Sequence, residues 1–187
     1  MRKRLIKRLS LIITSVAVAI ALIWASPQQT SAQQVIPAHI QAVYETTAEI
    51  TNIPFLVPST IPLNSPAAPP EYWAESIAPG AGSYYISFGR ASDCTGVTEC
   101  SFASVGGELA AESLYHYQQL RSQQRNEEIT LADGSQALFS PHRGAGLYTP
   151  ASVHILRGEY LYTFSIYMAD RADVVAMANS ATSAYDR

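Results

Sequence analysis

Four histidines and two cysteines are the side chains of this chain best suited to hold a metal or attack a substrate. A zinc site needs three or four converging Cys, His or carboxylate ligands. His39, His116, His142 and His154 stand far apart and form no His-x-x-x-His pair, so no metal is expected. His154 sits between Val153 and Ile155 on a strand pattern, which places it on a surface or rim. Acyl transfer by the Gly-x-Ser-x-Gly elbow has no matching motif. The best catalytic candidate is His142, in a Gly-containing loop beside Ser140 and Arg143, and a small hydrolase built on residues 140–146 is the enzymatic alternative. Gly80-Ala-Gly82 and Gly144-Ala-Gly146 lack the third glycine and acidic partner of a dinucleotide loop. Asp133-Gly134 marks a turn rather than a calcium loop. No cofactor is expected, and a non-enzymatic role is the preferred reading.

A binding role has more to work with. Eleven tyrosines outnumber five phenylalanines. Tyrosine tolerates a half-wet site and carries a hydroxyl. Tyr84, Tyr160, Tyr162 and Phe164 fall on one face of their strands and are the candidate ligand-binding residues, for an apolar small molecule, a lipid or a peptide. The plainer account makes the same four residues the core beneath the helices.

The compartment follows from the first 32 residues. Arg2, Lys3, Arg4, Lys7 and Arg8 form a basic start, Leu9–Ala25 is an uncharged apolar run, and Thr30-Ser31-Ala32 is a small-residue cleavage site. The mature chain is expected to begin at Gln33 in the periplasm or outside the cell. The alternative is an inner-membrane anchor formed by an uncleaved Leu9–Ala25 segment. Removing residues 1–32 leaves seven arginines, no lysine and all fifteen acids, a net charge of −8. That balance argues against nucleic acid and, after cleavage, against a membrane surface as partner. It also removes lysine chemistry such as Schiff bases. In an oxidising compartment Cys94 and Cys100 are expected to pair as a disulfide across a short loop.

The elements that must position these groups read as follows. Residues 33–36 form a loose start. Ile40, Val43, Tyr44, Thr47 and Ile50 recur at helical spacing over 38–51. Prolines 54, 58, 62, 66, 69 and 70 make 54–70 a connector, with room for a short edge strand at Phe55–Val57. Strands follow over 72–77, 84–89 and 101–105. A helix spans 108–125 behind the boundary Gly106-Gly107, its stripe of Leu109, Ala110, Leu114, Tyr117 and Leu120 needing cover. Hairpins turn at Asp133-Gly134 and at Arg157-Gly158-Glu159. A last helix is capped by Asp170 with Asp173 three residues on.

The stretches Thr51–Ser59, Tyr84–Gly89 with Asp93-Cys94, Glu99–Phe102, Ile129–Gly134, Glu159–Tyr162 and Asp173–Ser180 resemble a group of uncharacterised exported bacterial proteins. Their layout is distantly similar to the sheet-and-helix domains of periplasmic lipoprotein carriers and sigma-factor regulators. The resemblance implies a curved antiparallel sheet with helices on one face. The chain departs from the group in having no second cysteine couple after the Asp-Gly hairpin.

The expected architecture is therefore α+β. A signal occupies 1–32 and an N-terminal helical segment 33–52. A single domain over 53–187 carries an antiparallel sheet of about six strands, with N-terminal, middle and C-terminal helices and one disulfide. The expected role is an exported ligand- or partner-binding module of the envelope.

Overall fold

The computed structural model describes residues 33–66, 68–77, 80–94, 100–143 and 149–185, all within one compact unit, Ala32–Arg187. The fold is α+β. Among the described residues three helices accompany an antiparallel sheet of seven strands, one more than the six expected. Its strands are β3 (Trp73–Ser76), β4 (Ser83–Gly89), β5 (Ser101–Leu109), β6 (Glu127–Thr130), β7 (Gln136–Ser140), β8 (Ala151–Arg157) and β9 (Tyr160–Ile166), in the order β3-β4-β5-β9-β8-β7-β6. Both edges, β3 and β6, are only four residues long, and β6 opens on Glu127 and Glu128, charges that discourage further strand pairing. A separate two-stranded sheet pairs β1 (Gln33–Val35) with β2 (Thr60–Pro62). The segment expected to be a loose start is thus a strand, and the connector carries its strand at Thr60–Pro62 rather than at Phe55–Val57.

Period-2 alternation divides the sheet into two faces. Tyr84, Ile86 and Phe88 of β4, Ala103 and Val105 of β5, Tyr162, Phe164 and Ile166 of β9, and Val153 and Ile155 of β8 form the core face. Helix α1 (Ala38–Ile50) adds Ile40 and Tyr44 to that core. Helix α3 (Arg171–Tyr185) adds Val174, Met177, Ala178 and Ala181. The cap of α3 is as expected: the Asp173 N–H donates to Asp170 Oδ1 at 3.1 Å. Asp173 is itself buried, and that burial raises its carboxyl above the ordinary range despite the Asn64 side-chain bond.

The middle helix differs from expectation. Helix α2 runs Ala110–Arg121, and Gly106 and Gly107 lie inside β5 rather than before the helix. The reason is packing. A Cβ on Gly107 would fall 2.4 Å from the Tyr84 ring, so glycine here makes room for a core aromatic and does not break the strand. Ala110 is the one buried residue of α2, while Leu114 is 41% and Tyr115 80% exposed. The stripe expected to be covered is therefore half open.

The opposite sheet face is polar. Register places Ser87 opposite Ser104, Ser104 opposite Ser165, Ser165 opposite Ser152 and Ser152 opposite Ser140. A row of serines thus crosses five neighbouring strands. Ser152 and Ser165 share a hydrogen bond of 2.8 Å, as do Ser87 and Ser101. The disulfide Cys94–Cys100 closes the loop between β4 and β5, with a Cα separation of 5.7 Å. Among the described residues no helix is long and apolar enough to cross a membrane.

Candidate functional site

The connector between α1 and β3 begins as a strap, residues 53–59, laid across the aromatic end of the core face. Pro54 and Pro58 have no N–H, and an extended strap aims alternate carbonyls the same way. Three tyrosines meet those carbonyls. The Tyr162 hydroxyl donates to Pro54 O at 2.8 Å. The Tyr84 hydroxyl donates to Leu56 O at 2.7 Å and accepts the Leu56 N–H at 3.2 Å. The Tyr44 hydroxyl, from α1, donates to Pro58 O at 3.2 Å. Phe55 inserts between them, its ring centroid 4.8 Å from Tyr84 and 6.1 Å from Tyr44. Burial holds the Tyr44 and Tyr84 phenols far above their ordinary range, so they stay protonated and able to donate.

This is where the structure places the sequence-predicted ligand residues. Tyr84, Tyr162 and Phe164 are buried, and Tyr160 is partly buried with its ring 6.4 Å from Tyr162. Two of the four, Tyr84 and Tyr162, hold the chain's own strap. Sequence reasoning missed Tyr44, the third clamp. Its signal was there: a tyrosine on the apolar stripe of a helix next to a segment of unpaired proline-flanked carbonyls.

Two open grooves flank this arrangement. The first lies between α1 and the outer side of the strap. It is a cavity of about 410 Å³ lined by Ile36, Tyr44, Ala48, Phe55 and Val57, with Gln41 and Glu45 on its rim. The second, about 370 Å³, lies on the polar face and is lined by Ser83, Tyr85, Gly106, Glu108, Leu161 and Thr163. Strand alternation alone separates Tyr85 from Tyr84, which is why reading for the core passed over the residues of the second groove.

The remaining candidates are placed as follows. His142 Nδ1 lies 2.8 Å from the Thr149 carbonyl, and the Oγ of Ser140 has no hydrogen-bond partner among the described residues, so the two form no nucleophile–base pair. Residues 144–148 of that loop lie outside the described residues. His154, expected at a surface or rim, is instead buried at 8% exposure beside the serine row, because the polar face is itself covered there. Its Nδ1 lies 3.1 Å from Thr163 Oγ1, and burial, reinforced by His116, lowers its pKa to about 4. No group of three or more His, Cys, Asp or Glu residues gathers as a metal site among the described residues.

The fold and its strap define a class: an α+β domain whose aromatic sheet face is filled in cis by an extended proline-bearing segment. Comparison against protein-family models, curated proteins and solved structures returned no match.

Proposed function

We propose that this protein is exported by residues 1–32 and acts as a non-enzymatic binding module, taking an apolar ligand into the groove between α1 and the strap. The observation that carries this reading is the groove itself. Ile36, Tyr44, Ala48, Phe55 and Val57 give it an apolar floor within the usual size of small-molecule sites, about 300–1,000 Å³. An apolar groove beside a strap of the protein's own chain suits an apolar ligand such as an acyl chain or an apolar peptide. The disulfide supports an oxidising compartment. Native mass spectrometry of the protein purified from its own envelope tests the reading. The expected result is a chain starting at Gln33 that retains an apolar ligand, and an Ala48→Trp variant that loses it by filling the groove. A ligand-free wild type, or equal retention by the variant, overturns the binding site. A chain still carrying residues 1–32 in the cytosol overturns export.

A further inference from the structure

The second groove is built differently from the first, and its chemistry is separate from the apolar reading above. Tyr85 sits directly opposite Gly106, and Gly106 directly opposite Thr163, on the polar face. A Cβ on Gly106 would lie 3.4 Å from Tyr85 Cδ2, so the tyrosine ring reaches over the bare glycine. Tyr85 is nonetheless 45% exposed, which leaves its outer side to solvent. Cross-strand pairing covers the glycine and leaves a flat aromatic platform on the sheet.

Two pairs further along the strands, on the same face, Ser83 stands opposite Glu108, and Glu108 opposite Leu161. Glu108 makes no ion pair with any described residue. The groove therefore offers an exposed π face, an uncompensated carboxylate, the hydroxyls of Ser83 and Thr163, and a small apolar floor at Leu161. An anionic ligand is disfavoured twice, by Glu108 and by the net charge of −8 outside residues 1–32. A purely apolar ligand would strand the carboxylate and the Ser83 hydroxyl, while the Thr163 hydroxyl, bonded to His154, keeps capacity for a second bond. The complementary ligand carries a cation, a C–H face to lie on the ring, and hydroxyls to meet hydroxyls.

The geometry points to a binding site for an amino sugar: a saccharide ring stacked on Tyr85, its ammonium paired with Glu108 and its hydroxyls bonded to Ser83 and Thr163. Gly106 is the positioning residue, because a side chain there would meet the Tyr84 carbonyl at 3.2 Å and lift the platform.

The test titrates the exported domain with a glucosamine oligomer, with the N-acetylated oligomer of equal length, and with an arginine-rich peptide, following the backbone amides of Gly106 and Gly107 by NMR. The free-amine oligomer is expected to shift both amides and to bind more weakly as salt is raised. N-acetylation and Glu108→Gln are each expected to weaken binding about fivefold or more, as is Tyr85→Ala, while Tyr85→Phe retains it. Unchanged amide dispersion in each variant separates loss of the site from loss of the fold. Absence of amide shifts, equal affinity for the two oligomers, binding that survives Tyr85→Ala, or a response to the peptide alone overturns the proposal. None of these outcomes bears on the groove beside α1, whose ligand is read by mass spectrometry.

Discussion

Buried polar side chains set the residue-scale behaviour. His154 is neutral when folded, with a pKa near 4 against 6.5 when unfolded. Above pH 6.5 both states are neutral and the folded state has its full stability. Between pH 6.5 and 4 only the unfolded chain binds the proton, so stability falls as pH drops through that window, by about 3 kcal/mol. Urea unfolding followed across that range should show the loss, and His154→Gln should flatten it. An unchanged slope in the variant would place the acid sensitivity elsewhere. The tyrosine clamp gives a second expectation. Tyr84→Phe leaves both Leu56 backbone groups buried without their partner, at a cost of about 1–3 kcal/mol in denaturant midpoint analysis. Tyr160→Phe, at a partly buried ring outside the clamp, should cost less than Tyr84→Phe in the same measurement. The tyrosine excess and the face shared by Tyr84, Tyr160, Tyr162 and Phe164 were legible from composition and alternation. What their hydroxyls bond was not, because Pro54 and Leu56 approach from far along the chain.

At the scale of elements, local signals held where local physics decides. The 38–51 periodicity became Ala38–Ile50, and the Asp170 cap became a bond. Asp133-Gly134 turns the β6–β7 hairpin with Gly134 at φ +85, and Ser135 ties back to the Asp133 carboxylate. Burial alone would raise that carboxyl, but the Ser135 bonds and the Arg157 charge outweigh it and hold it below the usual range. Gly134→Ala should cost about 1–2 kcal/mol in a thermal melt, since an L side chain is strained at that φ. Gly106-Gly107 misled for the converse reason. The glycines serve the Tyr84 ring and the Tyr85 platform across the sheet, and only the pairing register reveals it. Gly107→Ala is expected to destabilise by about 1–3 kcal/mol through overpacking against Tyr84, read by the same melt. The Cys94–Cys100 loop is short, so Cys94→Ser with Cys100→Ser should cost about 2 kcal/mol.

At the scale of the molecule, the connector that begins with the strap joins the layers. Ser180 on α3 bonds both backbone groups of Thr60, Ser65 bonds the Tyr167 carbonyl at the end of β9, and Tyr44 on α1 reaches Pro58. Removing residues 33–52 from the domain would uncover Phe88 and Phe55, both of which pack against Tyr44. Dye binding and loss of near-ultraviolet circular dichroism are the expected result, and retained native spectra would show α1 to be dispensable. By itself the sequence determined the α+β class, the disulfide, the first helix, the cap of the last helix and the turns, since each rests on periodicity, capping or spacing within a few residues. Only the tertiary structure decided that the aromatic face is filled by the chain's own strap, that five serines align across the other face, and that His154 is buried. Those features arise from strand register and from contacts between distant segments, where side-chain volume and unpaired carbonyls, rather than local pattern, choose the partner.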